Sequence, residues 1–195
     1  ANWGTYQTVT LAAAEDDADT ADGSAVIRAT ATGGSTDTAD VTATEVDDDF
    51  TLTVNNDGNG STTPSGAVIV DSNDDLPYAV SASANAGYTF ASWTDGSGVL
   101  TDASAASTTV QAGTTADCTI TATFTANTVN VETDVASVNV PEGSTNTFQV
   151  RLTAQPTVNT TVTVARNSGD TDISVTGGAS LTFTTANWGT YQTVT

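Results

Sequence analysis

The chain has 195 residues, 23 of them Asp or Glu against three arginines, with no lysine, histidine or methionine and a net charge of −20. That balance repels nucleic acid and anionic membrane surfaces, which are recognised by clustered Lys or Arg, and it leaves an enzyme no imidazole base and no Schiff-base amine. At 37% hydrophobic the chain can still fill small cores, but no apolar run approaches the roughly 20 residues of a membrane span.

In chain order, the first predicted element lies in residues 1–10 (ANWGTYQTVT), where Thr5, Gln7, Thr8 and Thr10 interleave with Tyr6 and Val9 as on a strand with one buried face. The same ten residues return unchanged at 186–195. Such a duplicate reads as one full period of a tandem array plus the opening of the next. As an internal piece of a longer precursor, it is not expected to carry a signal peptide. The ends then fall inside a folding unit. Residues 128–195, continued by residues 11 to about 48, have the size of a seven-strand immunoglobulin-like sandwich. Alanine-rich residues 11–19 read as a strand running into an acidic turn.

Residues 49–127 carry their own strand pattern. Phe50, Leu52 and Val54 alternate with threonines, and Tyr78, Val80, Ala82 and Ala84 alternate with Ala79, Ser81 and Ser83. Cys118, Ile120, Ala122 and Phe124 alternate with Thr119, Thr121 and Thr123. Cys118, the single cysteine, shares that inward face and reads as a small buried hydrophobe, not a reactive thiol. The habit continues through Val138, Val140, Phe148, Val150, Leu152, Val162, Val164, Leu181 and Phe183, with Gly and Asn clusters marking turns. The expectation is an all-β chain in three parts: 1–48 closing one sandwich, 49–127 forming a small module, and 128–195 opening the next sandwich. Asn59-Gly-Ser61 and Asn159-Thr-Thr161 are short sequons for glycan attachment where that machinery exists.

The middle part resembles a known surface module. The order Phe50-Thr-Leu-Thr-Val54, then Ala84-Asn-Ala-Gly-Tyr-Thr-Phe-Ala-Ser-Trp93, then Cys118-Thr-Ile-Thr-Ala-Thr-Phe124 is similar to the divergent internalin B-repeat type. The resemblance implies a small β-rich spacer of β-grasp type, found in tandem on secreted and cell-surface proteins. It brings no catalytic residues. Gly87, Tyr88, Phe90 and Trp93 are its most specific part, and they are expected to fill a small core with a few large rings.

The rejoined part resembles the Calx-beta type of immunoglobulin-like sandwich through Val140-Pro-Glu-Gly143, Ser168-Gly-Asp-Thr-Asp172, Leu181-Thr-Phe183, Glu15-Asp-Asp-Ala-Asp19 and Glu45-Val-Asp-Asp-Asp49. In that family an early glutamate, acids of two loops and a closing acidic run gather at one pole and bind calcium. The resemblance implies Ca²⁺ ligands among Glu142, Asp170, Asp172, Asp16, Asp17, Asp19, Asp47, Asp48 and Asp49. The competing reading makes the same acids solvated surface of a protein from a salty habitat. That second reading is preferred for Asp57, Asp74, Asp75, Asp95 and Asp102, in loops of the middle module.

Enzyme chemistry is not expected. Carboxylate pairs such as Asp16 with Asp17 remain, but a glycosidase needs two acids facing across a cleft, and no phosphate-cradling GxxxxGK[ST] loop is present. The function expected is a structural repeat unit of a long extracellular or cell-surface fibre or stalk, each module touching its neighbours. Its partners are neighbouring copies of the same repeat, with other surface proteins or glycans in addition, and this segment is not inserted in a membrane. Two alternatives stand beside it. One is an adhesion module that grips carbohydrate or protein through exposed rings or acidic loops. The other is a subunit of a non-covalent filament joined by strand complementation.

Overall fold

The computed structural model describes residues 4–15, 19–96 and 98–195 and is all-β, with no helix among the described residues. The first element is a hairpin of β1 (Ser24–Thr30) and β2 (Thr38–Thr44), in register from Ser24 opposite Thr44 to Thr30 opposite Thr38. Gly33, at φ 98°, supplies the left-handed backbone its turn needs. Val26 and Val41 are both exposed on this hairpin. Among the described residues it hydrogen-bonds to no other strand.

The middle module holds β3 (Asp49–Asn56), β4 (Gly60–Thr63), β5 (Gly66–Asp71), β6 (Tyr78–Ala84), β7 (Tyr88–Asp95), β8 (Ser107–Val110) and β9 (Cys118–Ala126). One sheet runs β5-β3-β9-β7 and the other β4-β6-β8. Its first and last strands, β3 and β9, lie parallel at the centre of the larger sheet, with Val54 beside Ile120. Alternation explains why: Phe50, Leu52 and Val54 on β3 and Cys118, Ile120, Ala122 and Phe124 on β9 all turn to one buried face. Val80 of β6 and Val110 of β8 meet them from the second sheet in the same core. Trp93 is 3% exposed, its Nε1 donating to the Ala105 carbonyl at 3.1 Å. The Phe90 ring lies 6.0 Å from that of Trp93 and 5.9 Å, edge-on, from that of Phe124. Of the rings expected in the core, Trp93 is buried while Tyr88 and Phe90 pack against the core partly buried, and Cys118 is buried in it.

The last part has β10 (Val131–Thr133), β11 (Phe148–Leu152), β12 (Thr160–Thr163), β13 (Ser180–Phe183) and β14 (Gln192–Val194). The sheets β10-β11-β14 and β12-β13 share one core of Val150, Leu152, Leu181, Phe183 and Val194. This is the two-sheet arrangement of an immunoglobulin-like sandwich, built from few and short strands. It meets the middle module at Gln155. The Gln155 Oε1 accepts the Gly87 N–H at 3.1 Å, its Nε2 donates to the Thr185 carbonyl at 2.7 Å, and its carbonyl accepts from Asn127 Nδ2 at 3.3 Å.

Three strand expectations fail. Residues 5–10 form no strand and Val9 is 77% exposed, although the identical residues at the other end form β14, where Val194 is 0% exposed. A strand needs a partner, and only the second copy of the sequence has β11 beside it. Residues 11–15 likewise form no strand, and Leu11 is exposed. Val138 and Val140 also lie outside any strand, in a stretch whose backbone bonds run to turns such as Ser144 N–H to the Pro141 carbonyl. The structure also adds strands that alternation did not show. β4 and β8 are nearly all Ser and Thr, and β5 ends in an aspartate.

Candidate metal centre

Asp49 opens β3 and Asp71 closes β5, and the antiparallel register sets them directly opposite each other. Both are buried, Asp71 to 3% exposure. Like charges placed opposite on one face of a sheet destabilise the pair. Asp71 holds its own C-terminal turn: its Oδ1 accepts the N–H groups of Asn73 at 2.6 Å and Asp74 at 3.0 Å. Its Oδ2 is buried and has no hydrogen-bond partner among the described residues.

Asp48 comes to the same place from the other side. Its carbonyl accepts the Ser72 N–H at 3.3 Å, and its Oδ2 accepts from Ser72 Oγ and Asn73 Nδ2, so residue 48 is tied to the turn after β5. Glu15 completes the group: carboxylate oxygens of Glu15, Asp48 and Asp71 lie within 4.8 Å of one another. Two unit like charges at about 5 Å repel by about 3 kcal/mol at an effective dielectric of about 20. The three arginines are engaged elsewhere: Arg28 pairs with Asp40, Arg151 with Glu132 and the Tyr191 ring, and Arg166 donates to the Gly169 carbonyl.

The residues expected as ligands are placed in two groups. Asp48 is in the cluster with Glu15 and Asp71, and Asp49 stands beside it opposite Asp71. Asp47 is adjacent, its Oδ1 accepting the Asp49 N–H at 2.8 Å and its own N–H donating to Asp22. Asp19 is exposed and closes a local turn by accepting the Ala21 N–H. Asp16 and Asp17 lie outside the described residues. Glu142, Asp170 and Asp172 line a separate cavity with Thr195. Asp71 was not among the expected ligands, because it follows an apolar run, Val68 to Val70, that marks burial and not chemistry. Glu15 stands in the acidic run at 15–19 but not among the expected ligands. Opposition to Asp49 depends on the strand register, for which the sequence offers no local signal.

The loop acids of the middle module hold turns and strand ends in place. Asp57 accepts the Phe124 N–H at 2.9 Å and the Asn59 N–H at 3.0 Å, and these bonds hold its carboxyl below the usual range. Asp102 is lowered chiefly by the Ser104 hydroxyl. Burial, helped by Asp117 and Asp95, raises the Cys118 thiol, which fits a packing role.

Residues 50–128 match the family model of the divergent InlB B-repeat domain, a surface-repeat type and not a known enzyme family. No curated protein and no solved structure matches the chain. Among the described residues no helix is long and apolar enough to cross a membrane.

Proposed function

We propose that the chain is a structural repeat unit of a long extracellular or cell-surface fibre, in which the sandwich opened by residues 128–195 is completed by the first segment of the next repeat. The observation that carries this reading is the fate of one sequence in two places. At the C-terminal copy of ANWGTYQTVT, Val194 is fully buried against β11, while Val9 in the identical N-terminal copy is open to solvent. In an array the two positions are the same residue, so residues 11–48 enter directly after β14 of the preceding sandwich. The β1–β2 hairpin, with Val26 and Val41 exposed, then meets the short sheets of that body. An InlB B-repeat module between successive sandwiches supports a serial, spacer-like design.

Calcium stiffens this array in the same reading. Completing the sandwich carries Asp16, Asp17, Asp19 and Asp47 to Asp49 of the next repeat to the body that bears Glu142, Asp170 and Asp172. The adhesion alternative gains no support from Trp93, which is core.

Two measurements test the proposal. Denaturing electrophoresis of the mature polypeptide gives a very large chain for a covalent array; a band near 20 kDa (a single chain is 19.6 kDa) points instead to subunits joined by strand complementation. A rejoined polypeptide, residues 128–195 continued by 11–49, should melt in one cooperative transition and more stably than 128–195 alone. Identical melting of the two would refute completion across the repeat boundary.

A further inference from the structure

We infer that Glu15, Asp48 and Asp71 form a divalent-cation site contained in a single chain, with the middle module supplying the buried ligand. The inference rests on the proposed calcium stiffening only for the class of ion, and it needs no second copy.

The independent observation is Asp71. A carboxylate 3% exposed normally has every oxygen hydrogen-bonded, yet Asp71 spends Oδ1 on two backbone N–H groups and leaves Oδ2 buried without a partner among the described residues. That oxygen belongs to a side chain whose carboxylate comes within 4.8 Å of those of Asp48 and Glu15. Across the sheet stands a further buried aspartate, Asp49. Hydrophobic burial cannot explain an arrangement that collects acids at the end of a core strand pair, and all three arginines are engaged elsewhere. A bound cation supplies the contact that Asp71 Oδ2 lacks and offsets the like charge of three converging carboxylates.

The ligand chemistry selects the ion. All donors are carboxylate oxygens, which suit hard cations, and the set has neither the thiolate nor the imidazole that transition metals favour. Calcium takes 6 to 8 oxygens in flexible geometry, so three carboxylates from separate segments and several waters satisfy it more readily than the strict octahedron of magnesium. Because Glu15 precedes the hairpin, Asp48 comes after it and Asp71 lies in the middle module, the ion ties the first segment to the body of the chain.

Calorimetric titration of the full chain, stripped with chelator and held at constant ionic strength with sodium, tests the site. Wild type should bind calcium, and Asp71→Asn should weaken that binding about tenfold or more, while Asp48→Asn gives a second loss from a less buried position. The asparagine keeps a carbonyl for the Asn73 and Asp74 N–H groups, so the turn survives. Asp102→Asn, in a loop where the carboxylate holds the Ser104 turn, should leave calcium binding unchanged. Calcium heats equal in wild type and Asp71→Asn, or none beyond the sodium blank, would overturn the site. Loss in Glu142→Gln with none in Asp71→Asn would place the ion at the inter-repeat pole instead. Failure of the rejoined sandwich to form would sink the array proposal and leave this site standing.

Discussion

Val194→Ala and Val9→Ala make the same change in the same ten-residue sequence, and the structure assigns them opposite outcomes. Val194 is fully buried in the core of Val150, Leu152, Leu181 and Phe183, so removing two carbons forfeits about 0.8 kcal/mol for each. The small cavity left behind raises the total to about 2 to 3 kcal/mol. Val9 is 77% exposed, and surface changes of this kind stay within about 0.5 kcal/mol. Hydrogen exchange at the amides of β11 reads the difference locally. Protection there should fall roughly 30- to 150-fold in Val194→Ala, at about 1.4 kcal/mol per tenfold, and stay unchanged in Val9→Ala. In a two-repeat polypeptide, position 9 of the second repeat is position 194 of the first, and the substitution there should cost the full amount. Equal effects of the two substitutions in the single chain, or a neutral Val194→Ala, would refute the assignment of β14 to this core.

Trp93→Ala should destabilise the middle module by about 3 to 5 kcal/mol through loss of a buried ring, which a denaturant melt monitored by circular dichroism measures, and wild-type-like melting would show the ring to be exposed. Gly87→Ala should cost about 2 kcal/mol or more and loosen the junction, since Gly87 has φ 82° and an added Cβ would lie 2.6 Å from the Thr157 backbone. Faster exchange at the Gly87 and Asn127 amides reports it. Asp57, with its folded-state pKa lowered by the Phe124 and Asn59 N–H groups, stabilises the fold above the ordinary aspartate range, and that contribution disappears as pH falls through the lowered value. Asp57→Asn should therefore flatten the acid limb of melting temperature against pH below the ordinary aspartate range, about 4, and an unchanged limb would show that the Phe124 and Asn59 bonds do not depend on the charge.

Much of the fold was legible in the residues because period-two alternation is a local signal. It located the strands containing Phe50, Tyr78, Cys118, Phe148 and Leu181, and it placed Cys118 inside, while the resemblance to the B-repeat type placed Trp93 there. The same signal misread residues 5–10 and Val138 to Val140. Alternation states which face a strand would bury, but whether a strand forms depends on a partner elsewhere in the chain. The Ser and Thr strands β4 and β8 went unseen for the converse reason: their pairing with β6 stabilises them, with few apolar side chains to announce it.

By itself the sequence determined the all-β class, the acidic surface without lysine, the InlB B-repeat motif around Trp93 and the duplicated decapeptide, all of which are written in composition or in short contiguous runs. Only the tertiary structure decided which copy of the decapeptide is buried, and which acids converge. Asp48 and Asp71 are 23 residues apart in the chain, and Glu15 is farther still. A hairpin register, a turn tied to the Asp48 carbonyl and the burial of β5 bring them together, and none of these distances can be read from residue order.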